Sequence, residues 1–234
     1  QKMPLPFGIA PVGMSGLIWP DAERSLARAG AAAGIPYSLS TMASQTPEDV
    51  ASELGEHAWF QLYPPRDRDI LKSMLDRAKS SGFKVLILTV DVPVASRRER
   101  QVRGGMTNPP SITPRILAQM LMCPAWLNGT RKTGMPRPRL MESYSKERSA
   151  LPSNQHIGYL MRTSPDWEYL KVLRDAWDGP LIVKGVGRST DVKRLENEGA
   201  DAIWISNHAG RQFAGGPATI STLPAIRAET SLPI

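Results

Sequence analysis

Six short apolar runs divide the chain at Gly8–Pro11, Tyr37–Ser40, Trp59–Leu62, Val85–Val90, Leu181–Lys184 and Ala202–Ser206. They show no polar alternation, which suits strands buried on both faces of a parallel sheet. Between them lie stretches of helical period. Asp21 to Ala33 is alanine-rich, opened by Pro20-Asp21 and closed by Gly34. In Asp67 to Ser80, Ile70, Leu71, Met74, Leu75 and Ala78 fall on one helical face. Asp166–Trp177 and Asp191–Glu198 follow the same logic. Strands returning every ~25–30 residues with helices between them are successive βα units. A doubly wound sheet and a (β/α)₈ barrel fit that rhythm equally well.

One stretch breaks the rhythm. Residues 104–165, after the fourth strand, are rich in Pro, Met, Arg and Trp, and only Ile116–Met122 has a helical pattern. A loop this long inside a compact domain is usually functional or disordered. The segment also carries most of the net charge. From Arg97 to Arg148 there are eleven Lys/Arg against three Asp/Glu, whereas the whole chain is only +7. The basicity is therefore a local device, suited to an anionic partner.

The 234 residues, 41% of them apolar, are enough for one large α/β domain. The domain expected is a single one over residues 1–234, carrying residues 104–165 as an insertion. A single cysteine, Cys123, excludes an internal disulfide and gives no sign of an oxidising compartment. There is no apolar run of membrane-spanning length and no signal-peptide pattern. The expected location is cytoplasmic, with peripheral attachment to the inner face of the cytoplasmic membrane as an extension. Both ends, at Gln1 and at Ile234 within "SLPI", are read as truncations.

Candidate chemistry gathers where the strands end. The third run ends in Gln61 and Tyr63, and the fourth in Thr89 and Asp91, with Arg97 and Arg98 beyond. The fifth ends in Lys184, and the sixth in Ser206, Asn207 and His208, followed by Arg211. In either parallel architecture this edge binds ligands. His208 is a natural general base, which Asp91 could orient and whose imidazolium it could stabilise. Arg98 and Arg211 offer guanidinium forks to a carboxylate, and Lys184 can face a developing anion. A base with two arginines implies an anionic substrate that loses a proton. His57 and His156 read as surface residues. No Cys, His or carboxylate cluster has metal-ligand spacing, so no metal is expected. "KGVGRS" at Lys184–Ser189 is a weak phosphate-loop signal, lacking both the Walker and the GxGxxG spacing.

In order along the chain, "IAPVGMSGLIWPD", "YSLSTMAS", "WFQLY", "LTVDVPVASRRER", "LIVKGV" and "SNHAGRQF" resemble the hallmark segments of the FMN-dependent 2-hydroxy acid dehydrogenase and oxidase family. The resemblance runs from residue 6 to 234 and implies a (β/α)₈ TIM barrel, with about six of the eight βα units present. It implies FMN as cofactor, bordered by the backbone of Ala10, Pro11 and Val12 and bonded by Ser40, Gln61 and Thr89. Lys184 would stabilise the reduced flavin, and Ser206 joins the cofactor contacts. Tyr63, Arg98 and Arg211 would bind the substrate, with His208 as base and Asp91 as its partner. A 2-hydroxy acid such as L-lactate or L-mandelate would become the 2-oxo acid. Within the family the resemblance is closer to the lactate and mandelate dehydrogenases, which implies a quinone acceptor and a membrane-binding fourth loop. The mix of Ile116, Leu117, Leu121, Met122 and Trp126 with Arg131, Lys132, Arg137 and Arg139 agrees, so residues 111–140 are expected on an anionic membrane surface.

There are departures from the family pattern. Ala209 stands where the family usually has Gly, a small change unless the position needs positive φ. Phe213-Ala214 replaces the usual Leu-Asp. The segment before the first strand and the last two strands are absent, so the chain alone is expected to hold FMN poorly. A homo-oligomer is expected of the complete protein. The competing readings are an oxidase that passes electrons to O₂ and an inactive scaffold or nucleic-acid-binding remnant. No nucleic-acid partner is expected, because the basic stretch lacks a binding motif and the aromatic spacing of a stacking platform.

Overall fold

The computed structural model describes residues 3–93, 103, 113–145 and 164–234. The chain forms two compact units, residues 1–58 with 99–158 and residues 59–98 with 159–234.

In the first unit, α1 (Ala22–Ala33) leads to β1 (Tyr37–Ser40), followed by the short α2 (Pro47–Val50). Gly34 ends α1 in the left-handed conformation at φ 63°, as its position after the alanine run requires. The run expected as a strand at Gly8–Pro11 is reduced to a single parallel bridge, Ile9 to Tyr37. Gly8, Ala10 and Val12 are exposed there, so continuous burial does not enforce an extended ladder. Glu23 is buried at 1% exposure and accepts hydrogen bonds from the backbone N–H of Ser44 (2.7 Å) and Gly16 (3.4 Å). This carboxylate ties the turn before α1 to the loop after β1.

The described part of the proline-rich segment, residues 113–145, is more helical than its composition suggests. It contains α4 (Pro114–Leu121), α5 (Pro124–Thr133) and α6 (Arg139–Ser145). Pro114 and Pro124 sit in the first helical turn, where the missing N–H costs nothing, and Thr113 caps α4 by accepting from Ile116 N–H at 3.3 Å. Two of these three helices, α5 and α6, were not expected, since only Ile116–Met122 has a helical pattern in the sequence.

The second unit holds β2 (Ala58–Leu62), from Trp59 onward, and then α3 (Arg68–Ser80), β3 (Val85–Thr89) and α7 (Trp167–Ala176). It continues through β4 (Leu181–Val186), α8 (Val192–Asn197), β5 (Ala202–Ile205) and α9 (Thr219–Ala228). The strands β2 to β5 pair in sequence order, all parallel. Asp67 and Asp166 cap α3 and α7 through side-chain oxygens, matching the sequence boundaries within a residue.

Register decides which side chains share a face. Trp59 pairs with Val85, Ile87 with Ile182, and Ile182 with Ala202. These residues and Trp204 form one apolar cluster. Two residues further along each strand, on the same face, stand Gln61, Thr89 and Lys184. One face of the sheet is thus apolar through most of its depth and polar at the C-terminal rim.

Candidate functional site

The rim begins with Gln61 and Thr89, both buried and joined by a 2.9 Å hydrogen bond from Gln61 Nε2 to Thr89 Oγ1. Thr89 is in register with Lys184, so the next strand adds an ammonium beside this amide–hydroxyl pair. Lys184 Nζ donates to Ser206 Oγ at 3.0 Å and lies 3.5 Å from Asp91 Oδ2. Ser206 Oγ in turn donates to Asp91 Oδ2 at 2.8 Å and accepts the His208 backbone N–H at 3.0 Å. The other Asp91 oxygen meets His208 Nδ1 at 2.9 Å, and His208 Nε2 lies 3.4 Å from the Tyr63 hydroxyl. Five side chains from four strand ends therefore form one continuous chain, Tyr63–His208–Asp91–Ser206–Lys184.

Burial alone would raise the Asp91 carboxyl, but its hydrogen bond with His208, the Lys184 ammonium and the Ser206 hydroxyl outweigh it. The group is held below its ordinary value of 3.8. An ionised Asp91 can only accept, so Nδ1 of His208 carries a proton and Nε2 of a neutral ring is the basic atom. A depressed folded value means that Asp91 contributes stability above pH 3.8 and loses it as pH falls through the folded value. The difference in urea midpoint between the parent and Asp91→Asn is therefore expected to be largest above this value and to shrink below it. A difference that grows in acid would contradict the assignment.

Backbone geometry at this end is unusual in two places. Gly185 interrupts the β4–β5 register as a bulge, at φ 113°. A Cβ there would lie 2.7 Å from both the Asp91 N and Cβ atoms, so its absence lets the β3 end approach β4. His208 and Ala209 both have φ 55°. The family's usual glycine at the second position thus has a conformational reason, and Ala209 carries the cost of the left-handed region. Ala209→Gly is expected to stabilise the protein by about 0.5–1 kcal/mol. A lowered thermal midpoint would show that the turn is not so constrained.

Of the other candidates, Arg211 closes the turn that begins at His208, with its N–H bonded to the His208 carbonyl at 3.1 Å and its side chain exposed. Arg98 lies outside the described residues, as do Arg97 and His156. Ala10, Pro11, Val12 and Ser40 belong to the first unit. Ser40 is buried, and its Oγ accepts the Met42 N–H at 3.2 Å. His57 is half-buried. Ser206 is a cofactor contact in the sequence reading, yet here it bridges Lys184 to Asp91. No local signal distinguishes a strand-end serine with that role. Near "KGVGRS" a cavity of about 510 Å³ is lined by Leu88, Val183, Trp167, Leu170, Gly187 and Arg188 among others, but by none of the five linked side chains. Among the described residues no group of three or more His, Cys, Asp or Glu is arranged to hold a metal ion.

A family model described as FMN-dependent dehydrogenase matches residues 1–234. The chain belongs to the FMN-dependent dehydrogenase family. Its similarity to L-lactate dehydrogenase of Vibrio cholerae is 39% identity over 230 residues, covering 97% of this chain and 60% of that protein. Among solved structures, the monotopic membrane protein (S)-mandelate dehydrogenase matches with a TM-score of 0.88 and 34% identity, over 99% of this chain and 61% of that one. A soluble mutant of the membrane-associated (S)-mandelate dehydrogenase from Pseudomonas putida matches with a TM-score of 0.73 and 33% identity, over 98% and 58%. The chain thus spans about three-fifths of the length of the relatives it matches. As a member of the FMN-dependent dehydrogenases it has the (β/α)₈ barrel as its fold class, which resolves the choice that strand rhythm left open.

The rim of this family member suits a flavin in its chemistry. The amide of Gln61 and the hydroxyl of Thr89 can donate and accept along a heteroaromatic edge. Lys184 has three ammonium protons, of which Ser206 and Asp91 engage two.

Proposed function

We propose that the protein oxidises an L-2-hydroxy acid, lactate- or mandelate-like, to the 2-oxo acid with FMN as cofactor. The observation that carries this reading is the unbroken Tyr63–His208–Asp91–Ser206–Lys184 chain at one rim. FMN, when bound, would accept the electron pair that leaves the substrate. Gln61, Thr89 and Lys184 would hold it, with Ser40 and the backbone of Ala10 to Val12 as further contacts. The remaining steps belong to the side chains. Arg211 and Arg98 would bind the substrate carboxylate, fixing the carbon that is oxidised. Tyr63 would hold the substrate hydroxyl or carboxylate beside His208. His208 Nε2 would take the proton, and Asp91 would stabilise the imidazolium so formed, as triad carboxylates do.

Quinone is the acceptor we infer, with residues 111–140 resting on an anionic membrane surface. Two observations support this. A structural relative is a monotopic membrane protein. The described part of the segment also mixes exposed Leu117, Leu121 and Met122 with exposed Arg115, Arg131 and Lys132. Among the described residues no helix is long and apolar enough to cross a membrane, so the attachment would be interfacial.

The deciding experiment is an anaerobic visible spectrum of the FMN-loaded protein, before and after L-lactate or L-mandelate. Bleaching of the flavin band is the expected result. A band that neither acid bleaches would overturn the substrate class, and peroxide formed stoichiometrically in air would replace quinone by O₂.

A further inference from the structure

The first unit exposes large apolar side chains on an element that composition does not mark. After a one-turn 3-10 helix at Ser15–Leu17, Leu17, Ile18 and Trp19 are 43%, 76% and 55% exposed. Exposure of this kind in three consecutive residues is costly in water and calls for a partner.

The same unit holds this turn against α5 by two separate contacts. Trp126 Nε1 donates to the Leu17 carbonyl at 3.0 Å. Gly129, one helical turn on, lies so close to Pro20 that a Cβ there would be 2.8 Å from the proline ring. The α4–α5 junction, immediately before α5, presents Leu121 at 65% and Met122 at 74% exposure. Met122 ends α4 and Cys123 opens α5, so the junction leads directly into the first turn of α5, which carries Trp126. The turn at residues 17–19 and the α4–α5 junction are thus both fixed to the start of α5.

We infer that Leu17, Ile18 and Trp19 form a second insertion element, entering the same anionic bilayer surface as the α4–α5 junction. The inference rests on the membrane reading above and extends it to a part of the chain some hundred residues away in sequence. Charge chooses the occupant. From Thr113 to Met141 there are five Arg or Lys and no Asp or Glu. A second copy docking by the same patch would bring these cations together, whereas anionic headgroups neutralise them. Tryptophan at the edge of such a patch is suited to the headgroup layer. Two elements clipped to one helix would also fix the orientation of the unit on the surface, which a single amphipathic helix does not do.

Vesicle co-sedimentation tests this with phosphatidylcholine vesicles containing about a third phosphatidylglycerol, alongside pure phosphatidylcholine. The FMN-loaded protein is compared with the double variants Ile18→Asp/Trp19→Ser and Leu121→Asp/Met122→Asp. Each pair is expected to weaken binding to the anionic vesicles at least tenfold, with an unchanged thermal midpoint because the replaced side chains are exposed. If only the Leu121/Met122 pair weakens binding, the membrane reading stands and the second element is refuted. If the parent protein ignores anionic vesicles, both fail together. If the Ile18/Trp19 pair alters sedimentation-velocity mass and leaves vesicle binding intact, the turn serves a second copy and the inference is overturned.

Discussion

His208→Ala is expected to lower kcat for 2-hydroxy acid oxidation about 10³-fold, with little change in FMN affinity. The size follows from what the residue does. A positioned general base contributes roughly 10²–10⁴ in rate, and about 10³ corresponds to ~4 kcal/mol of barrier. The middle of that range applies rather than its foot because the ring is oriented at both nitrogens, by Asp91 at 2.9 Å and Tyr63 at 3.4 Å. FMN affinity is spared because the groups proposed to hold the flavin are Gln61, Thr89 and Lys184. Asp91→Asn is expected to fall short of His208→Ala by about tenfold, since it disturbs the tautomer and imidazolium without removing the base. Stopped-flow bleaching of the flavin band separates these from binding defects. A His208→Ala protein reduced within tenfold of the parent rate would remove His208 from the mechanism.

Gly185→Ala should be among the most damaging single-methyl changes in the second unit. Its Cβ would sit 2.7 Å from the Asp91 backbone N and side-chain Cβ and 2.9 Å from Cγ, at a φ of 113° that alanine rarely adopts. Neither neighbour can yield cheaply, because one is backbone and the other is anchored by His208 and Ser206. Strained backbone of this kind costs about 1–3 kcal/mol before any packing penalty, so a loss of about 2–4 kcal/mol is expected in urea unfolding. Displacement of Asp91 should also lower kcat toward that of Asp91→Asn. Gly187→Ala is the internal control, since nothing lies within 4 Å of its Cβ position and its φ is ordinary. Equal stability of the two variants would refute the close-approach role of Gly185.

Much of the architecture was legible because the forces that set it are local. β1 through β5 lie where continuous apolar runs predicted them, and β1 and β3 are buried along their whole length, which leaves no face free to alternate. The boundaries of α3 and α7 followed from Asp67 and Asp166, whose side chains satisfy the first backbone N–H groups. The rim was legible for a related reason. In a parallel sheet every strand ends at the same edge, so Gln61, Thr89, Asp91, Lys184 and His208 had to gather once the strands were placed.

Other features depended on residues distant in sequence meeting in space. Ser206 is a cofactor contact by the family resemblance, and only the arrival of Lys184 and Asp91 on either side of its hydroxyl shows that it also bridges them. Gly185 reads as part of the weak phosphate-loop signal "KGVGRS", and only the approach of Asp91, from another strand, makes its missing Cβ a requirement. The φ of Ala209 is set by the turn that aims His208 at Asp91, which composition does not encode. The helices α5 and α6 were missed because the segment reads by composition as a long loop, whereas Trp126 and Gly129 hold α5 against Leu17 and Pro20, far away in sequence. The sequence by itself determined the βα order, the helix caps and the chemical inventory of the rim, all consequences of near neighbours and of burial. Tertiary structure alone decided which of those groups touch, because hydrogen-bond distances between strand ends depend on register and bulge, to which the one-dimensional pattern is blind.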